Sequence, residues 1–236
     1  MDEDDSTKMD WLPQDSATPS LVEHWRSRIA TFPAQTGTSV VIEVPTGQLN
    51  LKGHPPAVSV YPEVLVQATV VVFGDRHKEG QVVAGLAVPW FEIISQLERD
   101  PEFLFKIPWR KLEEIIAGAY TRAGWPEVIL TPRSGDRGRD VIATRPGVGS
   151  VRIIDQIKAY RQGYVVTADE VRSMLGVLSA EFNVSKGLIT TTSRFAPGID
   201  KDSGLNAFMP YRLELKNGDE LRQWLLKLRS QEPVRM

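Results

Sequence analysis

The chain has 236 residues, of which 42% are hydrophobic and 25% charged, a balance typical of a soluble protein with one large domain or two smaller ones. It contains no cysteine, which excludes disulfides, thiolate zinc sites and a cysteine nucleophile. Residues 1–104 hold 7 Lys and Arg against 15 Asp and Glu, a net charge of −8, whereas residues 105–236 hold 21 against 15, a net charge of +6. A basic half suits a polyanion partner, and an acidic half does not.

The first 104 residues are predicted to form a tail and a small, mostly-β module of unknown role. Residues 1–19 are acidic and polar and contain proline, a composition typical of disorder. They lack the basic and apolar regions of a signal peptide, and no apolar run approaches the ~20 residues that span a bilayer, so we expect a cytoplasmic protein. In residues 20–104, Pro and Gly turns separate a helix at 20–30 and β-like runs at 38–44, 57–61, 63–73 and 81–88, before a helix and connector at 89–105. The negative charge of this half favours a protein partner, or restraint of the second domain, over DNA recognition.

Residues 105–236 are predicted to form an α/β domain, a sheet flanked by helices. A helix at 108–125 should end at Gly124, and Thr167 with Glu170 forms a capping box that begins another helix, at 167–182. The other predicted elements are strands at 127–131, 139–144, 151–158, 186–192 and 211–215, and a closing helix at 218–228.

Two of these strands carry polar side chains at inward positions. All three histidines lie in the first third of the chain, so chemistry here must use carboxylates, lysine, hydroxyls or amides. Asp140 heads one strand, and alternation puts Gln156 and Lys158 on one face of the next, with Asp155 on the opposite face. A carboxylate and an ammonium on neighbouring strands could be a structural ion pair, kept for fold specificity in spite of its desolvation cost, or a catalytic pair.

Further features favour the catalytic alternative. Gly135 and Gly138 leave room for a ligand backbone beside Asp140. Glu113 lies near the seam between the apolar and polar faces of the preceding helix. Three arginines flank the same turn and are suited to phosphate: Arg133, Arg137 and Arg139.

With these motifs, residues 108–230, about half the chain, resemble the catalytic domain of the Mrr-like restriction endonucleases, within the PD-(D/E)xK nuclease superfamily. The segments that carry the resemblance stand in the family's order: "LEEIIAGAYTRAGW", "SGDRGRDVIA", "DQIKAY", "KGLITTTSRF" and "NGDELRQWLL". The resemblance implies a restriction-endonuclease-like fold, a mixed sheet flanked by helices, here preceded by the mostly-β module.

The resemblance also implies roles for four residues. Glu113 falls on the family's helix glutamate, and Asp140 on its metal-binding aspartate. Gln156 replaces the acidic residue of the wider superfamily, as is usual in this branch, and Lys158 is the catalytic lysine. The neutral amide of Gln156 should weaken metal binding unless Glu113 helps.

The implied function is hydrolysis of DNA phosphodiester bonds with Mg²⁺, or Mn²⁺ as a substitute, in restriction or anti-phage defence. The implied metal ligands are Asp140, Gln156, the Ile157 carbonyl and Glu113, and Lys158 would orient or deprotonate the attacking water or stabilise the developing charge. The expected DNA contacts are Arg133, Arg137, Arg139, Arg161, Thr191 and Ser193. By analogy with the superfamily, a homodimer is expected. Two alternatives stay open: an inactive nuclease-fold module that binds DNA or recruits a partner, and RNA cleavage.

Overall fold

In the computed structural model, which describes residues 62–133 and 138–231, the chain is built around a mixed seven-stranded sheet. Its strands are β1 (Val71–His77), β2 (Gly80–Leu86), β3 (Glu127–Leu130), β4 (Val141–Arg145), β5 (Val151–Lys158), β7 (Lys186–Thr191) and β9 (Leu213–Lys216), in the spatial order β1-β2-β3-β4-β5-β7-β9. Neighbours from β1 to β5 are antiparallel, whereas β5, β7 and β9 are parallel. Two short strands, β6 (Val165–Val166) and β8 (Arg194–Phe195), pair separately.

In the described part of the chain, six α-helices accompany the sheet, and their ends follow local capping rules. They are α1 (Pro62–Leu65), α2 (Val88–Arg99), α3 (Trp109–Arg122), α4 (Ala168–Ala180), α5 (Ser203–Asn206) and α6 (Gly218–Ser230), with 3-10 turns at Pro101–Lys106 and Ile199–Lys201. The capping box of Thr167 and Glu170 begins α4, and Gly124 follows α3 with a φ of +79°. The predicted mixed sheet flanked by helices is confirmed. No described helix has both the length and the apolar character that a membrane crossing needs.

Helices cover both faces of the sheet, and the alternation of β5 divides its side chains between two cores. One core joins α2, α3 and α6 to the sheet and includes Ile116, Val141 and Leu225. The other lies under α4 and includes Ile154 and Met174. Even-numbered positions of β5 therefore face α4 and odd-numbered positions face α3. The sequence predicted this division into two faces but not the helix that covers each one.

The structure differs from the predicted domain boundary at residues 104/105. Strand β2 pairs with β3 through Gln81↔Leu130 and Val82↔Ile129, so the β1–β2 hairpin extends the sheet of the second domain. All described residues fall within one compact unit. The predicted tail, the helix at 20–30 and the strands at 38–44 and 57–61 lie outside the described residues.

The strand predicted at 63–73 is also wrong in its first half. Residues Pro62–Leu65 form the single turn α1, and β1 begins only at Val71. Proline is favoured at the first position of a helix because its φ is already helical. Over four residues, of which only Leu65 is buried here, the apolar pattern does not distinguish a helical turn from a strand.

Candidate active site

Asp140 stands immediately before β4 and is held by the main chains of two neighbouring segments. Its N–H donates to the carbonyl of Asp155 (3.1 Å), and its carbonyl accepts from the N–H of Thr131 (3.0 Å). Its carboxylate Oδ2 accepts a 2.6 Å hydrogen bond from the N–H of Ile157, and the residue is only 9% exposed. The carboxylate therefore lies against β5 at the step between Gln156 and Ile157.

Gln156 and Lys158 occupy the α4 face of β5, and both are half-buried. The register of the two strands ends at the pair Val141↔Asp155, so Asp140 lies one step on, opposite Gln156. The amide Oε1 of Gln156 is buried and has no hydrogen-bond partner among the described residues. An amide oxygen buried in this way costs about 1–3 kcal/mol unless some partner satisfies it.

The turn before Asp140 requires glycine at position 138. Gly138 has a φ of +76°, in the left-handed region that favours glycine. A Cβ added there would lie 3.1 Å from Nε2 of Gln156 and 3.6 Å from a methyl of Val177 on α4. The absence of a side chain thus lets the turn pass between Gln156 and α4.

The donor set of this site consists of a carboxylate and an amide oxygen. Asp140 and the unpartnered Oε1 of Gln156 both offer hard oxygen atoms, which are the ligands that Mg²⁺ prefers. Within residues 62–133 and 138–231, no three His, Asp or Glu side chains cluster at metal-binding distance. The residues present fit a hard divalent cation held by few protein ligands, as is usual for Mg²⁺.

Glu113 approaches the same end of the sheet from the opposite face, on α3. Its side chain is buried, and its Oε2 forms a 2.7 Å ion pair with Arg110. The same guanidinium nitrogen of Arg110 donates to the carbonyl of Thr131 (3.0 Å), and Thr131 is bonded in turn to Asp140. Arg110 therefore links Glu113 to the segment that holds Asp140, a contact that the sequence did not predict.

Hydroxyl groups at the end of β7 hold the backbone that carries Lys158. Thr191 donates from its hydroxyl to the carbonyl of Lys158 (3.0 Å). The hydroxyl of Thr192 donates to the carbonyl of Tyr160 (2.6 Å) and accepts from its N–H (2.8 Å). Both threonines are buried, so they fix the strand end and are not turned outwards to a ligand.

Glu170 of α4 also lies at the face of Gln156 and Lys158, whereas its sequence pattern indicated only a role in the capping box. Its Oε1 accepts a 2.5 Å hydrogen bond from the hydroxyl of Tyr160. Although burial opposes the change, hydrogen bonds from Thr167 and Tyr160 and the charge of Lys158 lower the pKa of Glu170. A carboxylate thus remains ionised on the helix that faces the Lys158 ammonium.

The residues predicted to contact DNA differ in their exposure and in the bonds they form within the protein. Arg133 and Arg161 are exposed, and Arg137 lies outside the described residues. Arg139 forms ion pairs with Glu79 and Glu181 and has a side chain only 14% exposed. The hydroxyl of Ser193 donates to the carbonyl of Tyr164, and that of Thr191 is used as described above. For Arg139, Thr191 and Ser193, these internal bonds differ from the phosphate contacts that the sequence predicted.

Asp155 lies on the face opposite Gln156, as alternation predicted, and is fully buried. Its Oδ2 accepts hydrogen bonds from the hydroxyls of Tyr120 and Thr190, both 2.9 Å long. Burial raises the pKa of Asp155 to about 6, against the opposing effect of the two hydroxyl donors. These contacts indicate a structural acid that joins α3, β5 and β7.

Comparison with known proteins gives one family and two partial structural likenesses. Residues 104–225, just over half of the chain, match the model of the Mrr-type catalytic domain, described as restriction endonuclease. One similar solved structure is the MspJI restriction endonuclease in complex with a 27-mer oligonucleotide, at 16% identity and a TM-score of 0.36 over 61% of this chain and 31% of that chain. Another is the DNA modification-dependent restriction endonuclease AspBHI, at 17% identity and a TM-score of 0.36 over 63% of this chain and 38% of that one. The chain thus spans about a third of the length of these proteins, and no curated protein matches it significantly.

Proposed function

This chain belongs to the restriction endonuclease family, and on that basis we propose that it hydrolyses DNA phosphodiester bonds with a divalent metal ion, in restriction or anti-phage defence. The observation that carries the proposal is the arrangement at the start of β4. The Asp140 carboxylate accepts a 2.6 Å hydrogen bond from the N–H of Ile157, and the adjacent Gln156 has a buried Oε1 without a hydrogen-bond partner among the described residues. Lys158 follows on the same face of the same strand.

Asp140 and Gln156 would hold Mg²⁺, with Mn²⁺ as a substitute, through their carboxylate and amide oxygens. A bound Mg²⁺ supplies charge neutralisation at the scissile phosphate and makes a bound water easier to deprotonate. The carbonyl of Ile157 and the carboxylate of Glu113 are proposed as further ligands. For Glu113 that role requires the Arg110 guanidinium, now 2.7 Å from its Oε2, to give way.

Lys158 would orient the attacking water and stabilise the charge that develops on the phosphate. Two contacts support a fixed position for it. The hydroxyl of Thr191 holds its carbonyl, and the N–H of Thr192 donates to the same oxygen at 3.2 Å. Because Glu170 stays ionised nearby, its charge would offset the cost of keeping the Lys158 ammonium half-buried.

The polymer is expected to be DNA, through the family and through the positive charge of residues 105–236. Arg133 and Arg161 are exposed and well suited to phosphate oxygens. Competition between labelled RNA and DNA of the same sequence would separate DNA cleavage from RNA cleavage. A homodimer, and a protein partner for the acidic first half, stay predictions.

The test is a plasmid-cleavage assay with Mg²⁺ that compares the wild type with Asp140→Asn and Lys158→Ala. Each variant is expected to lose cleavage by roughly 10²–10³-fold, because Asp140 would hold the metal and Lys158 would stabilise the developing charge. The exposed neighbours Asp200 and Lys201 provide matched controls, because Asp200→Asn and Lys201→Ala make the same chemical changes at exposed positions that have no proposed role in the site. Equal cleavage by wild type, Asp140→Asn and Lys158→Ala would contradict the proposal.

A second candidate function is a DNA-binding or partner-recruiting module that does not cleave. The observation in its favour is the neutral Gln156, since no cluster of three His, Asp or Glu side chains exists among the described residues to make up for the missing charge. This alternative predicts DNA binding that survives Asp140→Asn, with no cleavage by the wild type in Mg²⁺, Mn²⁺ or Ca²⁺. Gel-shift and cleavage assays on the same samples distinguish the two functions.

A further inference from the structure

The tip of the β1–β2 hairpin carries a carboxylate to the segment that precedes Asp140. Glu79 lies between the two strands, and its Oε1 forms ion pairs with Arg152 of β5 (2.7 Å) and with Arg139 (3.4 Å). Arg139 pairs in addition with Glu181, at the carboxyl end of α4 (2.8 Å). These four residues, called here the hairpin cluster, join β5, α4 and the hairpin to the residue next to Asp140.

The hairpin cluster is balanced in charge and shielded from water. It contains two carboxylates and two guanidinium groups, and each side chain is only 12–19% exposed. Charged hydrogen bonds are stronger in such surroundings than on an open surface, and removing one partner leaves the other charge poorly solvated. Loss of Glu79 should therefore release Arg139 from one of the two carboxylates that pair with it among the described residues.

The main chain beside Arg139 is anchored at the same point. The carbonyl of Arg139 accepts a 2.5 Å hydrogen bond from the hydroxyl of Thr131. The hairpin itself fits closely, since a Cβ at Gly80 would lie 2.2 Å from the carbonyl of Leu130. The hairpin tip and the end of β3 thus hold residues 139–140 in place from two sides.

We propose that Glu79 is a positioning residue for the active site: through Arg139 it holds the main chain that presents the Asp140 carboxylate to β5. The β1–β2 hairpin then helps to position the active site of the nuclease domain and is not a separate module. The effect of Glu79 on cleavage rests on the proposed function, whereas the ion pair between Glu79 and Arg139 does not.

The experiment measures amide hydrogen exchange by NMR in chelator-containing buffer, without metal or DNA. Three amides report on the position of Asp140. The N–H of Thr131 donates to the carbonyl of Asp140, and the N–H of Asp140 donates to the carbonyl of Asp155. The N–H of Ile157 donates to the carboxylate of Asp140. In Glu79→Gln, exchange at these amides should accelerate about ten-fold, while the amides of α3 keep their rates. The matched control is Glu98→Gln, which removes another 2.7 Å ion pair, with Arg229, far from this segment in sequence and on an exposed surface.

Unchanged exchange at the three amides in a folded Glu79→Gln protein would overturn the proposal, as would an equal acceleration throughout α3. In the double variant Glu79→Gln/Arg139→Gln, the acceleration at the three amides should be smaller than the product of the two single effects, because both changes remove the Glu79–Arg139 ion pair. Each change also removes a second pair, with Arg152 or with Glu181, so some further acceleration over Arg139→Gln is expected. Acceleration equal to the full product would count against the proposal. If Glu79→Gln does not fold, Glu181→Gln removes the other carboxylate from Arg139 and carries the same expectation.

Cleavage kinetics then separate the two proposals. With Mg²⁺ and DNA, Glu79→Gln is expected to lower kcat about ten-fold with little change in KM, because Asp140 is displaced while the DNA-binding surface is intact. Fast exchange in the variant, together with a wild type that does not cleave, would refute the proposed function and leave the positioning contact standing. A wild type that cleaves, together with unchanged exchange in Glu79→Gln, would refute the role of Glu79 alone.

Discussion

Replacement of Tyr120 by phenylalanine tests how the strand that carries Gln156 and Lys158 is held on its other face. The Tyr120 hydroxyl donates to Asp155 over 2.9 Å, with the two residues 4% and 0% exposed. Because burial raises the pKa of Asp155 only to about 6, the carboxylate is ionised at pH 7.5 and the bond is charge-assisted. Such a bond contributes about 1.5–3 kcal/mol, so we expect Tyr120→Phe to lower the free energy of unfolding by about 2 kcal/mol.

Tyr120→Phe removes only the hydroxyl group, because the phenylalanine ring makes the same packing contacts as the tyrosine ring. The ring packs edge-on against Trp125 and Trp224, at centroid distances of 6.0 and 5.3 Å, and phenylalanine preserves that packing. Urea unfolding at pH 7.5 with chelator, followed by tryptophan fluorescence and circular dichroism, gives the free energy. Tyr211→Phe is the control, since Tyr211 is 83% exposed and surface changes of this kind stay within about 0.5 kcal/mol. A Tyr120→Phe value within that same range would refute the view that this bond stabilises the buried carboxylate.

Three further predictions concern the site and its supporting helix. Gly138→Ala forces alanine to a φ of +76° and places its Cβ 3.1 Å from the Gln156 amide nitrogen, so we expect unfolding to cost about 1–2 kcal/mol less and cleavage to fall clearly. The control is Gly149→Ala, which has a φ of +73° but no atom within 4 Å of the added Cβ. It should show the loss of stability from backbone strain alone and should retain cleavage. Gln156→Glu adds a negative charge beside Asp140 and should tighten Ca²⁺ or Mg²⁺ binding roughly ten-fold in calorimetry; weaker binding would speak against a metal at this position. Thr167→Ala removes the capping box of α4 and should cost about 1 kcal/mol in thermal or urea unfolding, and an unchanged midpoint would contradict that capping role.

The features that the sequence predicted correctly depend on short stretches of chain. Gly124 ends α3, and Thr167 with Glu170 begins α4, because capping involves groups at most a few residues apart. The alternation of β5 follows from strand geometry alone, so Asp155 and Gln156 had to face opposite sides. The family motifs within residues 104–225 are likewise short runs of sequence, so each can be recognised without knowledge of its distant partners.

The partners of these residues depend on distant parts of the chain, and only the tertiary structure decided them. Glu79 meets Arg139 60 positions away, because β2 joins the sheet beside β3, which no local pattern specifies. Arg139 has the same charge whether it contacts a phosphate or a carboxylate, so its sequence context did not reveal that it is held by Glu79. By itself, then, the sequence determined where the candidate site residues lie along the strands and which way they face, because strand geometry and capping are local. The long-range register of the sheet decided which groups hold Asp140 in place, since hydrogen bonds and ion pairs across strands depend on distance in space and not along the chain.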